Sequence, residues 1–353
     1  MVLRRIALIF PLFFLLFGCE KKPISQSTSD DFESLMGNNY PEWRYVQTEE
    51  DKNNLAFFKQ IYEENIGKLS APNKKENIPS VLHFIWVGPK SFPLESIENV
   101  RTWIAHHPNW KVKFWTDRER PLPHPDMERV LIKESYFSRL WPYYHQSDNY
   151  GEQSDLLRLE ILRAEGGIYV DHDVKCMQSF EELNKAFDLY CGMELPYPTS
   201  LSSCVLPTNN ILGAVANHPI FAKTMDWLEG CWDQIEKDYP GRDRDATINR
   251  VAHRTFLVLG ETFKKHANQG TCDIALPTLY FNSPKEEQAL YSQHQYHGGW
   301  FENESDFEKM VRKRLMMLSK KTNKLLLAIG VLGGLNVLGW GAASVLFLRR
   351  SHV

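Results

Sequence analysis

The spacing of apolar positions changes from stretch to stretch along the chain, and each spacing predicts an element. SVLHFIWVG at 80–88 is a near-continuous apolar run, as a strand buried on both faces requires. In PLESIENVRTWIAHHP at 93–108, Leu94, Ile97, Val100 and Ile104 recur at helical spacing. WKVKFWTD at 110–117 predicts the next strand. QSDLLRLEILRAEGG at 153–167 predicts a helix with a glycine stop. GIYVDHDV at 167–174 and FDLYCGMEL at 187–195 predict two further strands. Strands alternating with helices imply an α/β fold with a largely parallel sheet, contained in residues 78–300. Upstream, NNLAFFKQIYEENIGKL at 53–69 predicts an amphipathic helix packed on this unit, within a helical segment 41–77.

The two ends follow a different pattern. Residues 1–19 carry two arginines and then an apolar run from Ile6 to Phe17, the form of a signal peptide or signal anchor. LFGC at 16–19 resembles a bacterial lipobox with Cys19 as its lipidated residue. Residues 20–40 are polar and Ser-rich and read as a tether. The uncharged stretch 325–348 is long enough to span a bilayer and predicts a C-terminal transmembrane helix, preceded by a basic segment at 301–324. Six Lys and Arg residues from Arg312 to Lys324 precede the span, and only Arg349 and Arg350 follow it. That asymmetry favours a cytosolic main unit, whereas the N-terminal run favours export. The expectation is therefore membrane association with the side left open.

Composition narrows the class. With 43% hydrophobic and 24% charged residues, the 353-residue chain has the balance of a globular protein. A formal net charge of −3 supplies no basic field for nucleic acid, which is not an expected partner. Six cysteines include no CxxC pair, which argues against a zinc site, and Cys191 and Cys204 read as buried thiols rather than a bridge.

The candidate chemistry lies in GGIYVDHDV, 166–174. Placing a carboxylate at the end of an apolar strand is costly, and here Asp171 and Asp173 stand there together. Alternation along the strand points both one way and His172 the other. From Asp155 to Glu165 the preceding helix rises roughly 15 Å, and from Gly167 to Asp171 the strand returns roughly 13 Å. Asp155 and Arg158, one turn apart on one helix face, thus come level with the two aspartates. Gly166 and Gly167 make the tight reversal. Converging carboxylates call for a cation, and oxygen donors suit Mg²⁺ or Mn²⁺ holding a diphosphate.

These residues carry a resemblance. SDLLRLEILRAEGGIYVDHDV, with IPSVLHFIWVG upstream, resembles the DXD signature of GT-A sugar transferases. These are the Och1-like and inositolphosphoceramide mannosyltransferases and, more distantly, the glucosyltransferase domains of large clostridial toxins. The resemblance implies a Rossmann-like GT-A domain that uses Mn²⁺ or Mg²⁺. Its reaction would move a hexose, glucose or mannose, from a nucleotide sugar such as UDP-glucose or GDP-mannose to a lipid, glycan or protein acceptor, with retention. It implies metal and diphosphate contacts for Asp171 and Asp173, donor sugar and phosphate contacts for Asp155 and Arg158, and nucleobase stacking for Trp86. YHGGW at 296–300 resembles a late His-x-x-Trp, with His297 completing the metal shell and Trp300 closing the donor site. Asn209 and Asn210 match a stretch on the acceptor side, and Glu194 stands after a strand on that side. No residue is singled out as a catalytic base.

Two departures and two alternatives go with this reading. Many such proteins carry Thr-Gly-Pro late in the domain, where VLGET at 258–262 stands here. A second DxD, Asp243 and Asp245 in GRDRDA, lacks an apolar strand before it and reads as a solvated loop. The first alternative is a catalytically dead, membrane-anchored binding protein on the same scaffold. The second is an aspartate-nucleophile phosphotransferase, which would place DxDxV on its first strand and need a later Gly-Asp, a dipeptide this chain lacks.

Overall fold

In a computed structural model of the chain, residues 31–73, 75–199 and 201–297 are described, with residue 314 alone beyond them. The apolar run to Phe17, Cys19, Trp300 and most of the basic segment 301–324 lie outside the described residues, as does the apolar stretch 325–348. Among the described residues, no helix is long and apolar enough to cross a membrane.

The strands are β1 Val81–Trp86, β2 Lys111–Thr116, β3 Glu128–Leu131, β4 Gly167–Val170, β5 Val174–Cys176, β6 Leu189–Met193, β7 Pro207–Ala214, β8 Asp273–Leu276 and β9 Ser292–His294. The helices are α1 Phe32–Leu35, α2 Glu49–Asn65, α3 Leu94–His106, α4 Trp141–Gln146, α5 Tyr150–Glu165, α6 Glu181–Ala186, α7 Pro219–Asp238, α8 Arg244–Arg254, α9 Phe256–His266 and α10 Thr278–Phe281. Seven strands form one sheet in the order β3-β2-β1-β4-β7-β6-β8, and β5 and β9 form a small antiparallel pair. Only β7 runs against its neighbours in the large sheet. The result is a mixed α/β fold with a parallel-rich central sheet. The expected strands at 80–88, 110–117 and 187–195 are present.

The α5–β4 reversal rests on two glycines and a histidine. Gly166 closes α5 with φ +65°, and Gly167 opens β4 with φ +91°. A Cβ on Gly167 would stand 2.7 Å from the Val81 carbonyl and 2.9 Å from His83 Nε2. One on Gly166 would meet the Ala216 N–H nitrogen at 2.6 Å. Only glycine meets both the backbone and the space requirement. His83 sits on neighbouring β1 with no solvent exposure. The Trp115 indole N–H donates to its Nδ1 (3.2 Å), which leaves Nε2–H to donate to the Gly166 carbonyl (2.9 Å). Burial pushes His83 down to about 4, so the neutral ring persists at neutral pH.

Several expectations need correction. The face that α3 buries is Ser96, Asn99, Val100 and Trp103, not the one through Leu94, which is 79% exposed. The stripe is still helical, but its polar members are turned toward the Asp171–Val174 turn, where they find partners. Nor does the tether extend to residue 40: Phe32, Leu35 and Met36 are buried in the core. The helix expected over 53–69 is α2, which starts at a Thr48–Asp51 capping box and runs into a short 3₁₀ turn after Asn65. GRDRDA is not a loop throughout, because Asp243 accepts the Ala246 N–H and caps α8. VLGET lies inside α9. Cys191 and Cys204 are buried free thiols, as expected.

Candidate active site

Strand β4 ends at Val170, so the two aspartates are not successive positions on one side of a strand. The Asp171 N–H still donates to the Asn210 carbonyl (2.8 Å), and then the chain turns, with the Val174 N–H reaching the Asp171 carbonyl (3.3 Å). This turn, rather than strand alternation, brings Asp171 and Asp173 together and sends His172 the other way. The His172 Nδ1 lies 2.7 Å from Ser96 Oγ, its carbonyl accepts from Asn99, and its ring meets Trp86 edge-on at 4.9 Å. Burial lowers the His172 pKa despite the two aspartates beside it.

Asp171 is the junction of the site. Its Oδ1 accepts from Arg158 (3.0 Å) and from the Tyr169 hydroxyl (2.5 Å). The same guanidinium pairs with Asp155 (2.8 Å), donates to the Asn209 carbonyl (2.5 Å), and lies 3.8 Å from the centre of the Tyr169 ring. Asp155, Arg158 and Asp171 therefore converge, as the helix and strand lengths predict. Burial opposes ionisation of Asp155 and raises it, with Asp171 adding to the effect and Arg158 working against both. The opposite holds for Arg158: burial would lower it, but Asp155, Tyr169 and Asp171 outweigh that and raise it. Arg158 thus already gives Asp155 and Asp171 a cationic partner.

Asp173 is approached from β9 and the residues after it. His294 Nε2 lies 3.3 Å from its Oδ1, the His297 backbone N–H donates to its Oδ2 (2.8 Å), and the Gln295 N–H donates to its carbonyl (2.9 Å). Burial would raise Asp173, but His294, His172 and the His297 N–H hold it well below the usual carboxylate range. His294 is raised in turn: Asp173 outweighs burial.

Asp171, Asp173 and His294 form a group whose ligating atoms lie within 4.8 Å of one another. Around a Mg²⁺- or Mn²⁺-sized ion, with bonds of about 2.1 Å, cis and trans ligands stand roughly 3 and 4.2 Å apart, so the three residues suit such an ion by donor type and would draw slightly closer together to close on it. His294 Nδ1 is buried without a hydrogen-bond partner among the described residues, a polar atom left unsatisfied at the same place. The imidazole in the group is that of His294, whereas His297 reaches Asp173 through its main chain. Sequence gave no signal for His294. Tyr169 was legible in principle, since two residues before Asp171 on a strand is the same side.

The remaining expected residues are spread around this centre. Trp86, at the end of β1, is half-buried and donates its indole N–H to the Lys90 carbonyl (2.8 Å). Asn209 lies on the Asp155–Arg158 side through its carbonyl and its side chain. Asn210 faces the core instead, accepting from Thr208 and donating to Asn282 (both 2.7 Å). Both asparagines lie on strand β7, so only one of two neighbours can face the site. Glu194, just past β6, accepts the Tyr296 hydroxyl; burial raises its pKa, opposed by Tyr296 and His294.

Comparison with known proteins bears on this geometry. Residues 93–188 match the family described as "Glycosyltransferase sugar-binding region containing DXD motif". The "Subversion of eukaryotic traffic protein A" of Legionella pneumophila is 30% identical over 197 residues, 48% of this chain and 28% of that protein. The "Mannosyl phosphorylinositol ceramide synthase SUR1" of Saccharomyces cerevisiae is 28% identical over 173 residues, 48% of this chain and 39% of that protein. The chain thus spans well under half the length of these curated relatives. Among solved structures, the PaToxG glycosyltransferase matches with TM-score 0.43 at 21% identity, covering 60% of this chain and 78% of that one. The catalytic domain of alpha-toxin from Clostridium novyi matches with TM-score 0.37 at 11% identity, covering 68% and 78%. Asp155, Arg158, Asp171 and Asp173 all fall within residues 93–188, the stretch that is similar to this sugar-binding region.

Proposed function

We propose that this chain transfers a hexose from a nucleotide sugar, UDP-glucose or GDP-mannose, to a lipid, glycan or protein acceptor, on a GT-A domain and with retention of configuration. The observation that carries the proposal is the Asp171–Asp173–His294 group, set beside Arg158 and Asp155 where β4 ends. Open α/β sheets bind ligands at the carboxyl ends of their parallel strands. Asp171, Asp173 and His294 would hold Mn²⁺ or Mg²⁺, which would neutralise the carboxylates and stabilise charge on a departing diphosphate. Arg158, fixed by Asp155 and the Tyr169 ring, keeps a permanent positive charge at the same edge for phosphate. Asp155 accepts from the donor sugar, and Trp86 at the end of β1 would stack on the base; a closing role for Trp300 rests on the YHGGW motif alone. Asn209, whose carbonyl holds Arg158, borders the acceptor side. No side chain is assigned as nucleophile, consistent with front-face attack assisted by the leaving diphosphate. The uncharged stretch 325–348 supports an acceptor at or near a bilayer.

The test is release of nucleoside diphosphate from a panel of nucleotide sugars, using the full chain in detergent with Mn²⁺ or Mg²⁺ and with a chelator. Lipid, glycan and protein acceptors are added in separate arms. Turnover of one donor that stops with chelator is the expected result. Binding without turnover would favour the dead-scaffold reading, and transfer only to soluble acceptors would remove the membrane element. Neither binding nor turnover of any donor would end the transferase proposal.

A further inference from the structure

Three separate contacts reach Asp173 from one short arm, residues 292–297, whose first half is β9, paired with β5, while the half from Gln295 to His297 lies beyond that ladder. Two observations at Tyr296 bear on that second half. First, its backbone is left-handed, with φ +54°, a conformation that costs a non-glycine residue free energy and persists only where the surroundings impose it. The kink lies between Gln295, whose N–H meets the Asp173 carbonyl, and His297, whose N–H meets the Asp173 carboxylate. It turns the arm back so that both donors face one residue. Second, the Tyr296 side chain is committed at both ends. Its ring lies against the His294 imidazole, with centroids 4.1 Å apart, and its hydroxyl donates to Glu194, just past β6.

We infer that Tyr296 is a positioning residue for the cation site: its kink and its hydroxyl clasp on Glu194 hold His294 and the His297 N–H on Asp173. This rests on the reading of Asp171, Asp173 and His294 as cation ligands. Glu194 then acts through Tyr296 rather than on the acceptor. Outer partners of this kind orient a ligand and typically alter metal affinity by 10–100-fold when lost. With the clasp open, the arm keeps its β5–β9 pairing, since Val174 faces His294 in the ladder. The loss is therefore confined to how well the imidazole and the N–H are placed.

The experiment is direct Mn²⁺ titration of the full chain in detergent, following free aquo-Mn²⁺ by electron paramagnetic resonance. Wild type is compared with Tyr296→Phe, Glu194→Ala and Glu194→Gln. Tyr296→Phe keeps the ring against His294 but cuts the clasp, and should weaken Mn²⁺ binding about tenfold. Glu194→Ala should match it. Glu194→Gln still accepts the tyrosine hydroxyl and should stay within about twofold of wild type. In the donor-hydrolysis assay, the Mn²⁺ concentration for half-activity should rise while kcat at saturating Mn²⁺ changes little. Should Tyr296→Phe fail to fold, the contrast between the two Glu194 variants carries the same test. Wild-type affinity in both Tyr296→Phe and Glu194→Ala overturns the inference. A folded wild type that binds no Mn²⁺ overturns the cation reading itself, and the two failures are thereby distinct.

Discussion

At the scale of single residues, the site is an arrangement of carboxylates that are each already partnered. Asp171 leans on Arg158 and Tyr169, and Asp173 on His294 and the His297 N–H. Relief of carboxylate repulsion is therefore no reason for an Asn variant to be more stable. Asp171→Asn and Asp173→Asn keep an accepting oxygen but each removes one partner of a buried ion pair, with Arg158 or His294, so both should fold with a midpoint below wild type rather than above it. Each should lower donor turnover at least about a hundredfold, because the charge that would balance the cation is gone. Wild type should gain thermal midpoint with Mn²⁺ and nucleoside diphosphate together, and neither variant should. Asp243→Asn is the matched control: Asn caps a helix as well as Asp, so turnover and midpoint should stay at wild-type values. A wild type whose midpoint ignores metal plus nucleotide would remove the assignment of 171 and 173.

At the scale of elements, the α5–β4 reversal decides whether the site exists. It sets Arg158 on the helix level with Asp171 past the strand, and it leaves no space beside Val81 and His83. Gly167→Ala must adopt φ near +91° and push into a carbonyl and an imidazole, and should cost about 2 kcal/mol or more. Gly230, exposed within α7, has nothing within 4 Å of an added Cβ, and Gly230→Ala should stabilise by about 1 kcal/mol. Urea unfolding of the two variants, at equal Mn²⁺, reads both signs at once. Equal effects would mean that the reversal is not the tight point described. Helix α3 makes a related point: Ser96 and Asn99 are buried for the sake of the turn they hold, at the expense of an apolar face.

At the scale of the molecule, two buried histidines give the fold a pH dependence. His83 and His107 are both pushed down to about 4, chiefly by burial, and each ring is fixed in a neutral, doubly hydrogen-bonded form. In the unfolded chain they titrate near 6.5. The folded pKa is depressed, so the unfolded state binds more protons between those values. The stabilisation is complete above about pH 6.5 and is lost as pH falls toward 4, by up to about 1 kcal/mol per pH unit for each ring. Urea midpoints measured from pH 6.5 to 5 should fall less steeply in His107→Gln than in wild type, a comparison in which the raised Asp155, Glu194 and His294 cancel, and an unchanged slope would contradict the neutral-ring assignment. The sequence by itself determined the α/β alternation, the glycine stop of α5 and the convergence of Asp155, Arg158 and Asp171. All three depend on local periodicity and on element lengths, which are properties of short stretches. It could not place His294 on Asp173, turn α3 toward its polar residues or send Asn210 into the core. Those depend on contacts between residues 72 to 121 positions apart, and a stretch carries no record of what packs against it. Only the tertiary structure decides that, because burial, and with it which polar group needs a partner, is set by the neighbours that the whole sheet brings together.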